Sequence, residues 1–455
     1  MLERKFTSFL ERFLLEMSNK ILLVNGARQT GKSYLIRYVG QKLFPHFVEI
    51  NLKEDKEGEH VFADVHTTND LYMRLSNYYS KTLGDKSDTL VFLDEIQSYP
   101  HLMTMLKFLN QESRYRFIAS GSQLGVALSE TPSVPLGSVT IEQMYPLDFE
   151  EFLWATGIGK EWIENIRQHF IRQQPLDEST HNILLKRFKY YLLVGGLPEA
   201  INNYLADRNM IRVRQTHRDI HNLYRIDASQ YDTEHKLIIR KIYDLIPSNL
   251  ENKKKRIVYK NIENKKGKTF SDYADEFEYL TNSGVALEVS AISNPRFPLA
   301  ESEQKKLVKL YLNDVGLLTN LLYELNVNAV LQDIKSINLG TVYESVVAQE
   351  LAAHGFKLHY YDNKKKGEVD FLVDDYERLT VLPLEIKSGK DYTEHSALKG
   401  FLETPDYDIH RAVVFSNERE IFKKKGVTYL PIYFCMFIHN EQRDEPVILP
   451  ELEVV

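Results

Sequence analysis

The chain of 455 residues contains a single cysteine, Cys435, and this scarcity limits its chemistry. One thiol cannot form an intrachain disulfide, and it cannot supply the cluster of cysteines that structural zinc sites require. Chains without disulfides are typical of reducing compartments, so we predict a cytoplasmic protein.

Long hydrophobic runs and an excess of positive charge are also missing. A helix needs about 20 apolar residues to span a bilayer, and no apolar stretch of the chain approaches that length. Charged residues recur from residue 3 onward, which is unlike a secretory signal. We therefore expect no contact with a membrane. The formal net charge is −7, so any contact with nucleic acid must come from a local basic patch. A chain of this length is enough for about two to four domains, and no internal repeat organises it.

The most specific feature is a glycine-rich loop between a predicted strand and a predicted helix. Residues 26–33 read GARQTGKS and fit the phosphate-loop pattern GxxxxGK[ST]. Residues 21–24 are apolar and predict a buried parallel strand, whereas residues 34–39 predict the first turns of a helix. Glycines let backbone N–H groups face phosphate oxygens, and a helix N-terminus favours negative charge. The alternative is an ordinary glycine turn before a helix. The predicted nucleotide-binding residues are Gly26, Ala27, Arg28, Gln29, Thr30, Gly31, Lys32, Ser33 and Tyr34.

A second motif, TLVFLDE at residues 89–95, predicts an apolar strand that ends in two carboxylates. In P-loop enzymes the lysine reaches the β- and γ-phosphates and the following hydroxyl ligates Mg²⁺, roles we assign to Lys32 and Ser33. Asp94 is expected to hold Mg²⁺ directly or through water, and Glu95 to act as the general base. Seen alone, this motif could be a buried strand with a solvated acidic end. The two motifs together predict a site for ATP or GTP with Mg²⁺.

Strands that alternate with helices predict a parallel sheet, and ligands of such sheets lie outside the C-terminal strand ends. Ser122 ends the predicted strand over residues 116–122, so it falls at the same edge as Ser33 and Asp94. We consider Ser122 a candidate sensor of the γ-phosphate. The alternative is a turn serine or a helix N-cap.

The middle of the chain carries no catalytic motif. Residues 160–232 are predicted to be helical, with an interruption at residues 194–199. A predicted helix at 271–282 followed by strands at 284–289 and 307–312 suggests a winged helix. Such a domain binds DNA or packs against protein. Its basic residues 253–256 would help DNA binding, although a charge run is usually a solvated face.

A second constellation lies near the C-terminus. Asp370 falls on a predicted strand, and Glu385 and Lys387 are two residues apart on the next strand, so they project from one face. Carboxylates in this arrangement can hold Mg²⁺, while a lysine can stabilise a developing phosphate charge. The alternative is a pair of amphipathic strands with polar outer faces. Glu344 lies near the start of a predicted helix at 341–354.

These motifs resemble known families. Residues 20–125 resemble the core of an AAA-type ATPase, and nearly the whole chain is similar to a prokaryotic ATPase family with a conserved C-terminal domain of unknown function. The matching stretches are GARQTGKS at 26–33, FLDEIQ at 92–97, SGS at 120–122, YPLDFEEFL at 145–153, GGLPEA at 195–200, LNDVGLL at 312–318, GEVDFL at 367–372 and LEIKSG at 384–389.

The resemblance implies an α/β architecture in four parts. A P-loop parallel sheet with helices on both faces (1–155) would be followed by a helical segment (156–235) and a winged-helix-like domain (236–335). A restriction-endonuclease-like α/β domain of the PD-(D/E)XK type (336–455) would come last. In that nuclease fold the metal-binding carboxylates correspond to Glu344, Asp370 and Glu385, and the catalytic lysine to Lys387. The resemblance also implies ATP and Mg²⁺ as cofactors and a homo-oligomer, because AAA-type sites often form between subunits.

The chain departs from the family pattern at one position. The family usually has an arginine after a glycine there, whereas this chain has Ser138 after Gly137. The role of that arginine cannot be transferred, and the remaining candidates for an arginine finger are Arg28, Arg114, Arg116 and Arg225. We expect an ATPase whose nucleotide state controls a nuclease-like domain acting on DNA. Two alternatives are an ATP-dependent switch with an inactive docking domain and an intracellular defence nuclease.

Overall fold

The N-terminal part of the chain is built on a five-stranded parallel sheet. The computed structural model describes residues 2–16, 20–79, 82–122, 124, 137–227, 236–334, 337–363, 367–389, 392–393 and 395–440. The strands are β1 (Ile21–Asn25), β2 (His46–Asn51), β3 (Thr89–Asp94), β4 (Arg116–Gly121) and β5 (Val139–Gln143), in the order β2-β3-β4-β1-β5. Every neighbouring pair is parallel, as predicted. Strand β5 was not predicted, because its residues VTIEQ mix polar with apolar side chains at a sheet edge.

Helices cover both faces of this sheet. They are α1 (Lys5–Leu15), α2 (Lys32–Leu43), α3 (Leu52–Glu57), α4 (Thr68–Tyr78) and α5 (Pro100–Glu112). Successive strand residues point to opposite faces. Leu22 shares a core with α1 and α2, whereas Leu23 shares the other core with α4 and α5. The predicted P-loop sheet with helices on both faces is therefore confirmed.

Helices dominate the described residues between 149 and 227, as predicted. They are α6 (Phe149–Ala155), α7 (Lys160–Arg172), α8 (Glu178–Val194), α9 (Pro198–Asp207) and α10 (Met210–Asp227). The turn between α8 and α9 requires glycine, since a Cβ on Gly196 would lie 2.0 Å from the Leu147 carbonyl oxygen. The Gly196 N–H donates to the Asp314 carboxylate at 2.6 Å. The GGLPEA and LNDVGLL motifs are thus in direct contact through this hydrogen bond.

Residues 236–334 contain helices followed by an antiparallel ribbon. The elements are α11 (Lys236–Glu251), α12 (Tyr259–Glu263), α13 (Ala274–Asn282), β6 (Ala286–Ile292), β7 (Glu303–Leu312), α14 (Val315–Tyr323) and α15 (Asn328–Leu331). The ribbon is not a free wing, because β6 pairs in parallel with a strand of the C-terminal sheet at Ser290 and His359. One sheet therefore continues across the predicted boundary at residue 335.

The C-terminal sheet has the strand order β12-β13-β11-β10-β9-β8-β6-β7. Its elements are α16 (Leu339–Ala353), β8 (His359–Asn363), β9 (Gly367–Asp375), β10 (Thr380–Lys387), α17 (Ser396–Leu402), β11 (Ala412–Ser416), β12 (Phe422–Lys424) and β13 (Val427–Pro431). Val346 of α16 shares a core with Phe371, and Leu398 of α17 shares another with Leu372. The sheet is thus buried on both faces where β9 runs.

Residues 228–235 of the predicted helical segment and 441–455 of the predicted C-terminal domain lie outside the described residues. Among the helices of the described ranges, none has both the length and the apolar character that crossing a membrane requires. The cytoplasmic location stays a prediction.

Candidate functional site

The glycine-rich loop lies between β1 and α2 at the C-terminal edge of the parallel sheet. A Cβ on Gly26 would lie 2.3 Å from the Met144 carbonyl oxygen, so only glycine fits there. Gly31 adopts a left-handed conformation with φ +94° at the start of α2. No capping side chain accepts a hydrogen bond from the first turn of α2. The backbone N–H groups in the first turn of α2 and the dipole of that helix together form a binding site for an anion.

Lys32 lies buried on the inside of this loop. Its Nζ donates to the carbonyl oxygens of Gly26 at 2.7 Å and of Ala27 at 2.8 Å. Burial lowers the pKa of Lys32 to about 8, although the carboxylates of Glu95 and Asp94 oppose this shift. Phosphate oxygens carry more negative charge than carbonyls, so a triphosphate in the loop would be a better partner for this ammonium group.

Asp94 connects three elements at the strand ends. The Ser33 hydroxyl donates to Asp94 Oδ2 at 2.7 Å, and the Ser120 hydroxyl donates to Asp94 Oδ1. A hydroxyl and a carboxylate in contact are the oxygen ligands that Mg²⁺ prefers. Ser33 and Asp94 therefore fit a magnesium site. Sequence reasoning missed Ser120 as the partner of Asp94, because only the pairing of β3 with β4 shows that the two are neighbours.

Glu95 and Ser122 complete this edge. Glu95 has φ +54°, a left-handed conformation that is unusual for a residue with a side chain, and its Oε2 accepts from Gln97 Nε2 at 2.6 Å. Strain of this kind is concentrated at functional sites. The Ser122 hydroxyl is buried and has no hydrogen-bond partner among the described residues. It lines a small cavity with Arg28 and Asp227.

Of the four candidate arginine fingers, Arg28 is part of the glycine-rich loop itself. Its Nη1 lies 2.5 Å from Asp227 Oδ1 at the end of α10. The other three are held elsewhere: Arg114 stacks 4.7 Å from the Tyr72 ring, Arg116 donates to the Glu16 carbonyl at 3.0 Å, and Arg225 bonds to Asp244 at 3.0 Å. Sequence reasoning missed Asp227, since no local pattern links residues 199 positions apart.

Distant segments hold the glycine-rich loop in place. Arg4 donates to the Thr30 carbonyl at 3.1 Å, and the Tyr224 hydroxyl donates to the Arg28 carbonyl at 2.8 Å. A Cβ on Gly284 would lie 3.0 Å from the Ala27 nitrogen, so the start of the β6 region is packed against the loop. A change in the conformation of the glycine-rich loop would therefore alter its contacts with the N-terminal segment, with α10 and with the β6 region.

The C-terminal constellation is also brought together. Glu344 of α16, Asp370 of β9 and Glu385 of β10 are all at least nine-tenths buried. The Lys387 Nζ donates to Glu385 Oε1 at 2.7 Å, and Asp370 Oδ2 accepts from the Ile386 N–H at 2.8 Å. Glu385 Oε2 has no hydrogen-bond partner in the described ranges.

Two of these buried carboxylates, Glu344 and Glu385, have raised pKa values. Burial raises the pKa of Glu344 to about 7 and that of Glu385 to about 8, and the carboxylate of Asp370 adds to both shifts. In the part of the chain that the structure describes, no three His, Cys, Asp or Glu side chains are arranged to hold one metal ion. The metal-ligand roles of Glu344, Asp370 and Glu385 therefore stay predictions.

Two further residues reach this cluster from the preceding segment. The Lys255 ammonium bonds to Glu344 Oε1, and the Tyr311 hydroxyl lies 3.4 Å from Glu344 Oε2. Burial lowers the pKa of Lys255, but the carboxylates of Glu344 and Asp370 outweigh that effect and raise it. The sequence showed Lys255 only as part of a basic run. Its neighbour Arg256 bonds to Asp362, so much of that run pairs within the chain.

Three family models match the chain in succession. One described as an AAA domain matches residues 18–153, and two described as domains of unknown function, DUF8612 and DUF4143, match residues 185–329 and 339–435. A search of curated proteins found no match to the chain.

Three of the solved structures with detectable similarity to the chain are all less than 25% identical to it. The Walker-type ATPase paby2304 of Pyrococcus abyssi is 15% identical over 70% of this chain and 96% of its own, with a TM-score of 0.43. PCH-2 of C. elegans is 12% identical over 38% of this chain and 48% of its own, with a TM-score of 0.23. The Hsp104–ADP complex of S. cerevisiae is 12% identical over 62% of this chain and 38% of its own, with a TM-score of 0.27.

The family model and the geometry of the loop agree on the N-terminal part. The matched residues contain the strand, the glycine-rich loop, the helix and the acidic strand end that nucleotide binding requires. Residues 18–153 of this chain are therefore an AAA-type P-loop ATPase domain.

Proposed function

We propose that this protein binds ATP with Mg²⁺ at the glycine-rich loop and hydrolyses it. The observation that carries the proposal is the direct contact of Ser33 with Asp94 at 2.7 Å, beside the buried Lys32. These groups come from α2 and β3 and meet at the edge where ligands of parallel sheets bind.

Each group has a definite task in hydrolysis. Ser33 and Asp94 would hold Mg²⁺, which would supply positive charge against the β- and γ-phosphates. Lys32 places its ammonium on the same phosphates. Glu95 orients a water molecule and accepts its proton. Ser122 presents a free hydroxyl that can report the presence of the γ-phosphate.

Two substitutions test the site. Lys32→Ala should abolish ATP turnover, and Glu95→Gln should still bind ATP but hydrolyse it at least about a hundredfold more slowly, the usual size of a general-base contribution. The exposed Lys107→Ala and Glu59→Gln are matched controls that should turn over ATP normally. Unchanged turnover in Lys32→Ala would contradict the site assignment, and normal turnover in Glu95→Gln would remove Glu95 as the base.

A second proposed activity belongs to the C-terminal domain, namely cleavage of a phosphodiester, with DNA as substrate. A helix is followed by three antiparallel strands, another helix and a strand parallel to β10, an order that supports a restriction-endonuclease-like fold. The convergence of Glu344, Asp370, Glu385 and Lys387 in a buried site supports the chemistry. The competing proposal is an ATP-dependent switch in which this domain only docks a partner.

Cleavage assays separate the two proposals. Purified protein is incubated with duplex and single-stranded DNA and with Mg²⁺ or Mn²⁺, in the presence and absence of ATP. Cleavage that disappears in Asp370→Ala would support the nuclease, and a dependence on ATP would support coupling between the domains. No cleavage under any condition would favour the switch.

We also propose that the protein forms homo-oligomers when ATP is bound. Arg28 is paired with Asp227, and the other three candidates make their contacts elsewhere, so an arginine finger from a second subunit would complete the site. Sedimentation with and without ATP tests this, and a monomer in both conditions would contradict it.

A further inference from the structure

The C-terminal sheet presents a row of side chains that runs from β10 to its edge strand β12. The strand registers place four residues in this row, namely Glu385, Val414, Tyr429 and Phe422. Paired residues of neighbouring strands point to the same face of a sheet. Lys424 lies two residues beyond Phe422 on β12, so its side chain points to this face as well. Neighbouring strands are about 4.8 Å apart, so the row is about 14 Å long.

A cavity of about 430 Å³ lies at the edge-strand end of this row, between α17 and the hairpin of β12 and β13. Lys399 of α17 lines it together with Lys424 and Lys425 of the hairpin, and all three lysines are exposed. His395 also lines it and bonds through Nε2 to the Tyr429 hydroxyl at 2.5 Å. The cavity therefore has a basic lining on the sheet face that also carries Glu385.

The backbone of the hairpin fixes where two of these lysines lie. Lys424 pairs with Val427, so Lys425 and Gly426 form a two-residue turn with φ of +51° and +80°. Positive φ at both positions is typical of a type I′ turn, whose twist matches that of the flanking strands. The turn thereby holds two neighbouring ammonium groups at the cavity.

The charges of this hairpin are met differently from those of the basic run at residues 253–256. Three of the four residues in that run form ion pairs with carboxylates of the chain. Lys424 and Lys425 have no carboxylate partner among the residues that the structure describes, whereas Lys399 lies 3.8 Å from Glu403. Clustered cations without partners of opposite charge attract anionic ligands.

We propose that the cavity lined by Lys399, Lys424 and Lys425 binds the phosphate backbone of duplex DNA and aligns it with the row that leads to Glu385. Phosphates along one strand of a duplex are spaced about 3.4 Å apart, so about four of them match the length of the row. The choice of DNA rests on the proposed function of the C-terminal domain. The contact with phosphates itself requires neither a metal ion nor cleavage.

Binding of a short fluorescent duplex to the full chain, measured by anisotropy in EDTA over a range of salt concentrations, tests the proposal. The wild type is compared with the double variants Lys424→Gln/Lys425→Gln and Lys424→Arg/Lys425→Arg. The matched control, Lys253→Gln/Lys266→Gln, removes two exposed lysines from the other basic clusters.

Each phosphate that a lysine neutralises adds about 0.9 to the slope of log affinity against log salt concentration. The slope should therefore fall by about 2 in Lys424→Gln/Lys425→Gln, and the affinity at about 0.1 M salt should fall at least about tenfold. The arginine variant keeps both charges and should bind like the wild type, as should the control. Equal affinity and slope in the glutamine variant and the wild type would overturn the proposal. Weaker binding confined to the control would also overturn it, because the DNA would then contact the other basic clusters.

The outcomes distinguish failure of this inference from failure of the proposed nuclease. Binding that depends on Lys424 and Lys425, without cleavage in any assay, would leave the DNA surface standing and remove the nuclease. Cleavage that depends on Asp370, with unaltered binding in the glutamine variant, would leave the nuclease standing and overturn the surface. Absence of duplex binding by the wild type would overturn the surface.

A second measurement uses the unaltered protein. Brief acetylation by an amine-reactive ester, read by mass spectrometry, compares the labelling of Lys424 and Lys425 with that of Lys253 and Lys266. We expect duplex DNA to reduce the labelling of the hairpin lysines severalfold and to leave the other two unchanged. Polyglutamate at the same concentration of charge should protect much less. Equal protection by polyglutamate would show a surface for acidic protein and overturn the proposal.

Discussion

At the scale of single residues, the ATPase site depends on groups that position others. Asp94 is 6% exposed and accepts hydrogen bonds on both carboxylate oxygens, from Ser33 on one side and from Ser120 on the other. A carboxylate held at both oxygens keeps its orientation when Mg²⁺ arrives. Ser120 is not itself a predicted ligand of Mg²⁺ or of the nucleotide, and it acts through its hydrogen bond to Asp94.

Ser120→Ala should therefore weaken the use of Mg²⁺ more than the binding of ATP. Loss of one hydrogen bond to a charged group costs about 1.5–3 kcal/mol, so the Mg²⁺ concentration for half-maximal turnover should rise at least about tenfold. Magnesium titrations of turnover measure this, with the exposed Ser87→Ala as control. An unchanged magnesium requirement would show that Asp94 does not need Ser120.

His217 makes stability depend on pH. Its Nε2 lies 2.9 Å from the Val194 carbonyl, and burial, together with the nearby Arg214 and Arg218, lowers its pKa to about 3. The folded state therefore prefers the neutral imidazole. The resulting stability is present above the unfolded-state pKa of about 6.5 and is lost as the pH falls toward 3.

Between pH 7 and pH 5 the wild type should lose about 2 kcal/mol of unfolding free energy through His217, because the unfolded state takes up a proton that the folded state does not. His217→Gln keeps a donor for Val194 but cannot titrate, so it should lack this loss. Urea unfolding of both proteins at the two pH values measures the difference. Parallel pH dependences would contradict the assignment.

At the scale of elements, the glycine-rich loop is tied to α10. Tyr224 holds the Arg28 carbonyl and Asp227 holds the Arg28 side chain, so one helix end contacts both the backbone and the charge of the loop. Asp227 also places a negative charge beside the glycine-rich loop, where we propose that the triphosphate binds.

Asp227→Asn should tighten ATP binding by about three- to tenfold. The substitution removes a charge that repels the triphosphate and frees Arg28 to meet it, and like-charge effects of this size are typical of partly buried sites. Calorimetry in the Glu95→Gln background avoids turnover, and the exposed Asp219→Asn on the same helix is the control. Adding Arg28→Gln should return the affinity toward the starting value; weaker binding by Asp227→Asn would contradict this account.

At the scale of the whole molecule, buried polar contacts join the N-terminal part of the chain to helix α16. Asp148 bonds to Lys5 at 2.7 Å and lies 3.3 Å from His354 of α16, while Glu350 of α16 accepts from the Phe149 N–H at 2.8 Å. The C-terminal end of the AAA-type domain is thus anchored on helix α16.

ATP should consequently protect more than its own domain. At a concentration 100 times the dissociation constant, a ligand adds about 2.7 kcal/mol to the stability of whatever unfolds together with its site. We expect ATP with Mg²⁺ to slow hydrogen exchange in α16 and β10 of Glu95→Gln as well as in residues 18–153. Protection confined to residues 18–153 would show that the domains open independently.

The sequence by itself determined the chemistry of the nucleotide site. A phosphate loop is encoded locally, because glycines at positions 26 and 31 and the helix that follows set the backbone conformation that places Lys32 and Ser33. The acidic end of β3 is equally local, since a run of apolar residues predicts a buried strand and its final carboxylates must emerge at the edge. The resemblance to an AAA-type core was confirmed over the same residues.

The tertiary structure alone decided what surrounds that chemistry. Strand β5 lacks an apolar run, and Ser120, Asp227 and Lys255 take their roles from partners 26, 199 and 89 positions away. Contacts at such separations leave no periodic pattern in the chain, because they depend on strand order and on how segments pack. For the same reason the sequence could not decide whether the basic run at residues 253–256 contacts DNA or solvent, whereas in the structure it is largely paired with carboxylates.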